Sequence, residues 1–148
     1  MIEYTEIVIR LGTATIMGGA LGFNRELHGK PTGVRTFGVV ALGAALVVMA
    51  STNFSSPDQG DWNAASRAIQ GVITGIGFLG AGVIVRNGPT EVHGLTTAAC
   101  IWLTACIGIV CGIGAWRVML VALPLAFLIL IVGGLIDGQI LKRWAKNE

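Results

Sequence analysis

The chain alternates between long apolar stretches and short polar segments that contain glycine, proline and charged residues. A transmembrane helix needs about 20 predominantly apolar residues to cross the ~30 Å hydrocarbon core of a bilayer. Five stretches approach or reach that length, near residues 7–23, 37–51, 68–85, 97–113 and 116–136. The pattern therefore predicts an all-α, polytopic membrane helix bundle of about five transmembrane helices, with residues 1–148 forming a single transmembrane domain.

The basic residues are distributed unequally between the two ends of these predicted helices. Short cytoplasmic loops of membrane proteins carry an excess of Lys and Arg. Seven of the ten basic residues fall on one predicted side, namely Arg25, Lys30, Arg35, Arg86, Lys142, Arg143 and Lys146. Arg10, Arg67 and Arg117 fall on the other side, and Arg10 follows Glu6 at the spacing of an ion pair on one helix face. This asymmetry predicts an N-terminus outside the cell and a C-terminus in the cytoplasm.

Two of the polar segments are similar to one another. Segments 25–36 and 86–97 share arginine, glycine and threonine at positions that are each separated by 61 residues. The matching pairs are Arg25 and Arg86, Gly33 and Gly94, and Thr36 and Thr97. A parallel repeat of residues 7–51 and 68–113 explains the similarity. Similar turn chemistry at two membrane exits explains it equally well.

The composition excludes several classes of protein. Of the 148 residues, 53% are hydrophobic and 12% are charged, whereas soluble domains are about 25% charged. A net charge of +2 excludes a generally basic nucleic-acid binder. Cys100, Cys106 and Cys111 fit neither a disulfide framework nor a metal site, and are interpreted as packing residues. Because the sequence also lacks a convincing nucleophile–base–acid set, we expect no enzyme activity, no metal and no cofactor.

Glycines recur at helical spacing inside two of the predicted helices. Gly71, Gly75 and Gly82 share one face of the third helix, and Gly108 and Gly112 lie one turn apart on the fourth. Small residues at such spacings let transmembrane helices approach one another closely. We expect these faces to pack the bundle, and one of them is a candidate for pairing two protomers in a homodimer.

Residues at the ends of the helices are the candidates for function. In loops on the predicted cytoplasmic side, or next to them, lie Arg25, Glu26, Arg35, Arg86 and Thr96. Thr96 is placed to cap the fourth helix, and basic side chains beside helix N-termini predict a site for a lipid phosphate or a partner's carboxylates. The positive-inside distribution and turn glycines alone explain the same residues without any site. No acidic residue falls near the predicted bilayer midplane, which argues against a simple cation path.

Three ordered segments resemble the signature sequences of the MgtC/SapB family. They are GKPTGVRT at 29–36, GIGFLGAG at 75–82 and GLTTAA at 94–99. The family also has matching residues where this chain has the Arg25-Glu26 pair, Asp61 and Arg67. The resemblance covers about residues 12–130, which is most of the chain.

The resemblance implies a bacterial inner-membrane protein with five helices. It also implies a link to magnesium limitation, control of the membrane potential, survival inside macrophages and virulence. The best-known members act on other membrane proteins, notably by inhibiting the F-type ATP synthase. Those members carry a soluble C-terminal domain, which this chain is expected to lack as a short form, and they tend to have Asn where this chain has Thr96.

Three functions are consistent with the sequence. The leading hypothesis is a small regulatory protein that binds another membrane protein, such as the ATP synthase, and that itself forms a dimer. The alternative is a transporter or channel for Mg²⁺ or another cation, with Asp61 and Arg67 at its outer mouth. The inner mouth would then carry Glu26, Arg35 and Arg86. Binding of anionic membrane lipids by the inner loops is a third interpretation.

Overall fold

The computed structural model describes residues 3–30, 32–53, 62–87 and 91–144. Within these ranges the chain forms five α-helices and two short β-strands. In chain order the elements are α1 (Tyr4–Leu27), α2 (Val34–Asn53), α3 (Trp62–Gly82), β1 (Val85–Asn87), β2 (Glu91–His93), α4 (Leu95–Ile113) and α5 (Trp116–Trp144). Each of the five predicted apolar stretches therefore coincides with a helix over most of its length.

The connection between α3 and α4 contains a hairpin that the apolar pattern does not predict. Strands β1 and β2 are antiparallel, with Val85 opposite His93 and Arg86 opposite Val92. The pattern extends the third helix to residue 85 because β-branched residues continue its apolar run, whereas α3 ends at Gly82. Valine is favourable in an extended conformation. The predicted all-α class therefore holds for the five helices but omits the β-hairpin between α3 and α4.

Four of the five helices, α1, α2, α4 and α5, are long and apolar enough to cross a membrane by their length and composition. Helix α3 does not meet that criterion. Its first half contains Arg67 and Gln70, and glycines, which contribute little apolar surface, occupy much of its second half. The number of membrane crossings and the orientation of the chain stay predictions.

Glycines let α1 and α4 approach α2 closely. A Cβ built at Gly18 of α1 would lie 2.6 Å from a backbone carbonyl oxygen of α2. A Cβ at Gly108 of α4 would collide with the carbonyl oxygen of Ala41, and one at Gly112 would lie 2.9 Å from that of Ala45. The structure therefore places the small-residue face of α4 inside the bundle, where any larger side chain would push α2 and α4 apart.

The glycines of α3 are placed differently from the expectation. No neighbouring group lies within 4 Å of a Cβ built at Gly71, Gly75 or Gly82. The face of α3 that contacts α4 includes Gly80, whose built Cβ lies 3.7 Å from the side chain of Ala98. Helical periodicity places the three open glycines about 140–180° around the helix from Gly80. Among the described residues of Met1–Trp116, the predicted seam of α3 therefore contacts no other helix, and its alternative role in pairing two protomers stays a prediction.

Helix α5 forms a compact unit of its own from Arg117 onwards. Its apolar part, Trp116–Ile136, coincides with the fifth predicted stretch. Pro124 lies inside the helix and removes one main-chain hydrogen bond, which transmembrane helices tolerate.

Candidate functional site

Arg25 is buried at the end of α1, in contact with the start of α4. Only 4% of its surface is exposed. Its Nη2 donates a hydrogen bond to Oγ1 of Thr97, and its Nη1 lies 3.6 Å from Sγ of Cys100. Thr97 and Cys100 are three residues apart and share one face of α4. The assignment of Arg25 to a loop is wrong, because α1 continues as a helix to Leu27.

The charge of Arg25 is not paired with a carboxylate. Among the residues that the structure describes, no Asp or Glu oxygen lies within ion-pair distance of its guanidinium. Its buried Nε has no hydrogen-bond partner among them either. A buried ionised group without a counter-charge is unfavourable, and a buried donor without an acceptor costs about 1–3 kcal/mol. Folding of the described residues therefore leaves Arg25 incompletely satisfied.

The first turn of α4 has no side-chain cap. Its N-cap residue is Gly94, with a φ of 91° that favours glycine. A Cβ at Gly94 would also collide with the carbonyl oxygen of Val83. Because glycine has no side-chain acceptor, the first amides of α4 receive no capping oxygen from it. Thr96 is exposed and lies inside the first turn, so its predicted capping role is wrong.

The start of α2 differs, because a carboxylate lies beside it. Oε2 of Glu26 accepts a long hydrogen bond of 3.4 Å from the backbone N–H of Val34, the first residue of α2. The same oxygen lies 2.5 Å from a Cβ built at Gly33, so glycine leaves room for the carboxylate. A negative charge is stabilising at a helix N-terminus. Glu26 therefore places a negative charge beside the N-terminus of α2. The first turn of α4 contains no acidic residue that would do the same.

The remaining predicted site residues are not buried with Arg25. Arg35 lies in the first turn of α2, Arg67 near the start of α3 and Arg86 in β1, and all three are exposed. Asp61 lies outside the described residues. The structure therefore separates the predicted basic residues into one buried arginine and several exposed ones. Nor do the described residues bring together three side chains that could hold a metal ion.

A second arginine of α1, Arg10, contacts the opposite end of α4. Its Nη2 and Nε lie 2.7 and 2.9 Å from Oε1 of Glu6, and its Nη1 donates a 2.8 Å hydrogen bond to the carbonyl oxygen of Gly112. The predicted ion pair between Glu6 and Arg10 is confirmed. The last carbonyl groups of a helix carry partial negative charge, so a cation is favourable there.

Sequence reasoning did not identify Thr97 and Cys100 as partners of Arg25. Thr97 is noticeable only as the counterpart of Thr36 in the repeated segment, and Cys100 only as a packing residue. The sequence feature that could have indicated a buried contact is the position of Arg25, close to the end of a long apolar helix. Such a side chain either reaches the membrane surface or finds a polar partner inside the bundle. Its partner follows from the contact between α1 and α4, which no local pattern specifies.

Helices long and apolar enough to cross a bilayer, packed through glycines and linked by buried polar contacts, place this chain among the helical membrane proteins. The sequence model of the MgtC family matches residues 11–138. The chain is also 42% identical over 127 residues to protein SrpB of Synechococcus elongatus. It is 39% identical over 115 residues to protein MgtC of Salmonella typhimurium, and 42% identical over 104 residues to protein MgtC of Brucella abortus. The chain belongs to the MgtC family.

The matched regions cover unequal shares of the compared proteins. The match to SrpB covers 80% of this chain and 70% of SrpB. The matches to MgtC cover 78% and 70% of this chain, but 47% and 41% of the Salmonella and Brucella proteins. The chain therefore matches less than half the length of these MgtC relatives. No solved structure matches it.

Proposed function

We propose that this chain is a bacterial inner-membrane regulatory protein that acts by binding another membrane protein through α3. Its membership of the MgtC family supports a membrane protein of this type. The F-type ATP synthase is the partner that the family resemblance implies. Magnesium limitation, control of the membrane potential and virulence are the conditions and processes in which the protein would act. Catalysis and a cofactor have no part in this proposal.

The observation that carries the proposal is the open face of α3, which consists of Arg67, Gly71, Thr74, Gly75 and Phe78. Their spacing places them on one side of the helix. All five residues are exposed, and no neighbouring group lies within 4 Å of a Cβ built at either glycine.

The open face of α3 combines features that suit a protein partner. Arg67 lies near the start of α3, where its charged group either reaches the membrane surface or pairs with a polar group of a partner. Gly71 and Gly75 form a pair of small residues one turn apart, which lets a second helix approach closely. Phe78 is 81% exposed, and large aromatic side chains are frequent anchors of protein interfaces. A helix of another membrane protein fits this combination.

Site-specific photocrosslinking in native membranes tests the proposed contact. A photoreactive amino acid replaces Phe78 on the open face of α3 or, as a matched control, Ile16 on α1, which is 65% exposed. Both positions are large, apolar and exposed, so the variants differ mainly in the helix that is labelled. We expect the label at position 78 to capture a membrane protein that mass spectrometry identifies. The label at position 16 is expected to react with lipid.

The identity of the captured protein distinguishes the occupants of the open face. A subunit of the ATP synthase would support that partner. A second copy of this chain would support a homodimer through α3, which we propose as the state of the protein without its partner. Lipid adducts alone at position 78, or the same protein captured from both positions, would contradict binding through α3.

An ion transporter or channel is the alternative function, and the same helix favours it. Arg67 and Gln70 are exposed on α3, and polar residues of membrane helices often line an aqueous path. Purified protein in liposomes separates the two functions. Sustained flux of Mg²⁺ or another cation that is lost in Glu26→Gln and Asp61→Asn would support transport. The regulatory function predicts no such flux.

The proposed orientation has the N-terminus outside and the C-terminus in the cytoplasm, with the α1–α2 connection also cytoplasmic. Reporter fusions test it, because alkaline phosphatase is active only outside the cytoplasm. A fusion after residue 57 is expected to be active, and fusions after residues 29 and 148 are expected to be inactive. The opposite activities would reverse the orientation that the basic residues predict.

A further inference from the structure

We propose that Arg25 and the first turn of α4 form a binding site for an anion of the phosphate class. The proposal is independent of the proposed function, because it concerns the isolated chain. Two features of the described residues support it. One is a buried guanidinium whose Nε lacks an acceptor, and the other is a helix N-terminus without a side-chain cap. Thr97 links the two features, because it lies in the first turn of α4 and accepts a hydrogen bond from Arg25.

The guanidinium of Arg25 supplies positive charge to this site. Its Nη1 faces the thiol of Cys100, and its Nη2 donates to the hydroxyl of Thr97. Neither group carries a negative charge that would offset the charge of the arginine. Its Nε–H is buried without an acceptor. Arginine is well suited to phosphate, because its planar head group presents several donors to the phosphate oxygens. An oxyanion at Nε would satisfy this donor and neutralise the buried charge together.

The start of α4 supplies backbone donors to the same site. The first amides of a helix have no acceptor within the helix and carry partial positive charge. In α4 these amides belong to Leu95, Thr96 and Thr97, which follow the N-cap Gly94. A helix N-terminus of this kind is suited to an anion. Without an anion, the positive end of α4 and the cation of Arg25 repel each other.

The starts of α2 and α4 differ in the negative charge that the described residues place beside them. At the start of α2, the carboxylate of Glu26 lies 3.4 Å from the amide of Val34. The residue 61 positions after Glu26, at the separation of the repeated segments, is Asn87, which carries no charge. The N-cap residue of α4 is a glycine, which has no side chain to act as a cap, and the first turn of α4 contains no acidic residue. An external anion is therefore the source of negative charge that we propose.

Phosphate is the class of anion that fits both halves of the site. Its tetrahedral oxygens can accept hydrogen bonds from a guanidinium and from helix amides in different directions. The start of α4 is open to a ligand, because Leu95 is 59% exposed and Thr96 is exposed. Arg25 also lies at the end of the candidate span Tyr4–Leu27, where lipid head groups begin. The same chemistry is available from a lipid head group and from free inorganic phosphate.

Thermal unfolding of the purified full chain in an uncharged detergent tests the site. The probes are inorganic phosphate, compared with chloride at equal ionic strength, and micelles with phosphatidylglycerol, compared with phosphatidylcholine. The matched variants are Arg25→Met and Arg117→Met, and the second removes an equal charge from an exposed position. We expect at least one phosphate probe to raise the unfolding midpoint of the wild type. The affinity should fall about tenfold or more in Arg25→Met and less than about twofold in Arg117→Met.

Two further variants keep the test informative if Arg25→Met does not fold. Arg25→Lys retains the charge but lacks the planar donor group, so its affinity for the probe should fall about threefold to tenfold. Thr97→Val retains Arg25 and removes the hydroxyl that holds the guanidinium, so it should also weaken binding. Both variants are compared with Arg117→Met in the same detergent.

The two probes distinguish the source of the anion. Stabilisation by inorganic phosphate would support free phosphate as a ligand, and stabilisation by phosphatidylglycerol alone would support a lipid head group. Either result supports the site when the Arg25 variants lose the effect. The site is refuted if neither probe stabilises the wild type, or if the Arg25 and Arg117 variants respond equally to the probes.

Discussion

Two arginines of α1 contact opposite ends of α4, and their surroundings differ. The separation of Arg10 from Arg25 along α1 equals that of Thr97 from Gly112 along α4, as expected for antiparallel helices in contact. Arg10 is paired with the carboxylate of Glu6 and donates to the carbonyl oxygen of Gly112. Arg25 has no carboxylate partner among the described residues, and its buried Nε has no acceptor.

The dipole of α4 explains what this difference means. A cation at the C-terminal end of a helix is favourable, and a cation at the N-terminal end is unfavourable. Arg10 therefore contributes to folding, because its two partners and the helix end all favour a positive charge. Arg25 meets the opposite conditions at Thr97. Similar arginines on one helix therefore differ in role, and Arg25, the incompletely satisfied one, is the arginine that we propose to bind an anion.

Substitution of the glycines at the two ends of α4 gives the largest contrast. Gly94→Ala places a Cβ against the backbone of Val83 at a φ of 91°, and we expect the free energy of unfolding to fall by about 3 kcal/mol or more. In Gly114→Ala, where φ is 81°, the Cβ meets the flexible end of Arg10 at 2.9 Å. A smaller loss of about 1–2 kcal/mol is expected there. Titration of the purified protein with sodium dodecyl sulfate measures both, and equal losses would contradict the stated difference.

Removal of Arg10 gives the second largest effect. In Arg10→Met, the carbonyl oxygen of Gly112 and the carboxylate of Glu6 both lose a charged donor. We expect the free energy of unfolding to fall by about 2 kcal/mol, mostly through Gly112, because Glu6 is 44% exposed and its ion pair is screened by solvent. The exposed Arg117→Met is the control and should change stability by less than about 0.5 kcal/mol. If the free energy of unfolding falls no further in Arg10→Met than in Arg117→Met, Arg10 does not have the stabilising role that we assign to it.

Removal of Arg25 should change stability less than removal of Arg10 when phosphate is absent. In Arg25→Met the hydrogen bond to Thr97 is lost, but a buried charge without a counter-ion is removed as well. These effects oppose each other, so the free energy of unfolding should change by less than about 1 kcal/mol. The same detergent titration measures this change. A loss as large as that of Arg10→Met would show that Arg25 is already satisfied by the fold.

Substitution on the open face of α3 should have the smallest effect on folding. Gly71→Ala and, as a control on α2, Gly43→Ala both place a Cβ in open space, and alanine favours a helix over glycine by about 1 kcal/mol or less. We therefore expect a small and similar gain in stability in both variants. Only Gly71→Ala should also weaken the crosslink from position 78. Equal crosslinking in the two variants would argue against a close helix contact at Gly71.

The positions of the helices are largely predictable because the requirement for apolar residues is local. The apolar part of α5 begins and ends at the predicted residues, Trp116 and Ile136. The start of α3 is not predictable in this way, because polar residues such as Asn63 and Ser66 are compatible with a helix and with a loop. The hairpin is missed for a related reason, since its first residue, Val85, continues the apolar run of α3.

The candidate site is less predictable because it depends on contacts between distant segments. The pair of Glu6 and Arg10 is local and follows from helical spacing. Arg25 was predicted as a site residue, but its burial depends on the packing of α1 against α4. The lack of a side-chain cap at Gly94 depends on the backbone of Val83. Neither contact leaves a periodic pattern in the sequence.

The most direct test of the difference between the two ends of α4 measures unfolding of three proteins with and without inorganic phosphate or phosphatidylglycerol. The three proteins are the wild type, Arg10→Met and Arg25→Met. Arg10→Met is expected to be destabilised in every condition and to keep the stabilisation by the anion. Arg25→Met is expected to resemble the wild type without the anion and to lose that stabilisation. Loss of stability in Arg25→Met without the anion, together with an unchanged response to the anion, would contradict the binding role of Arg25.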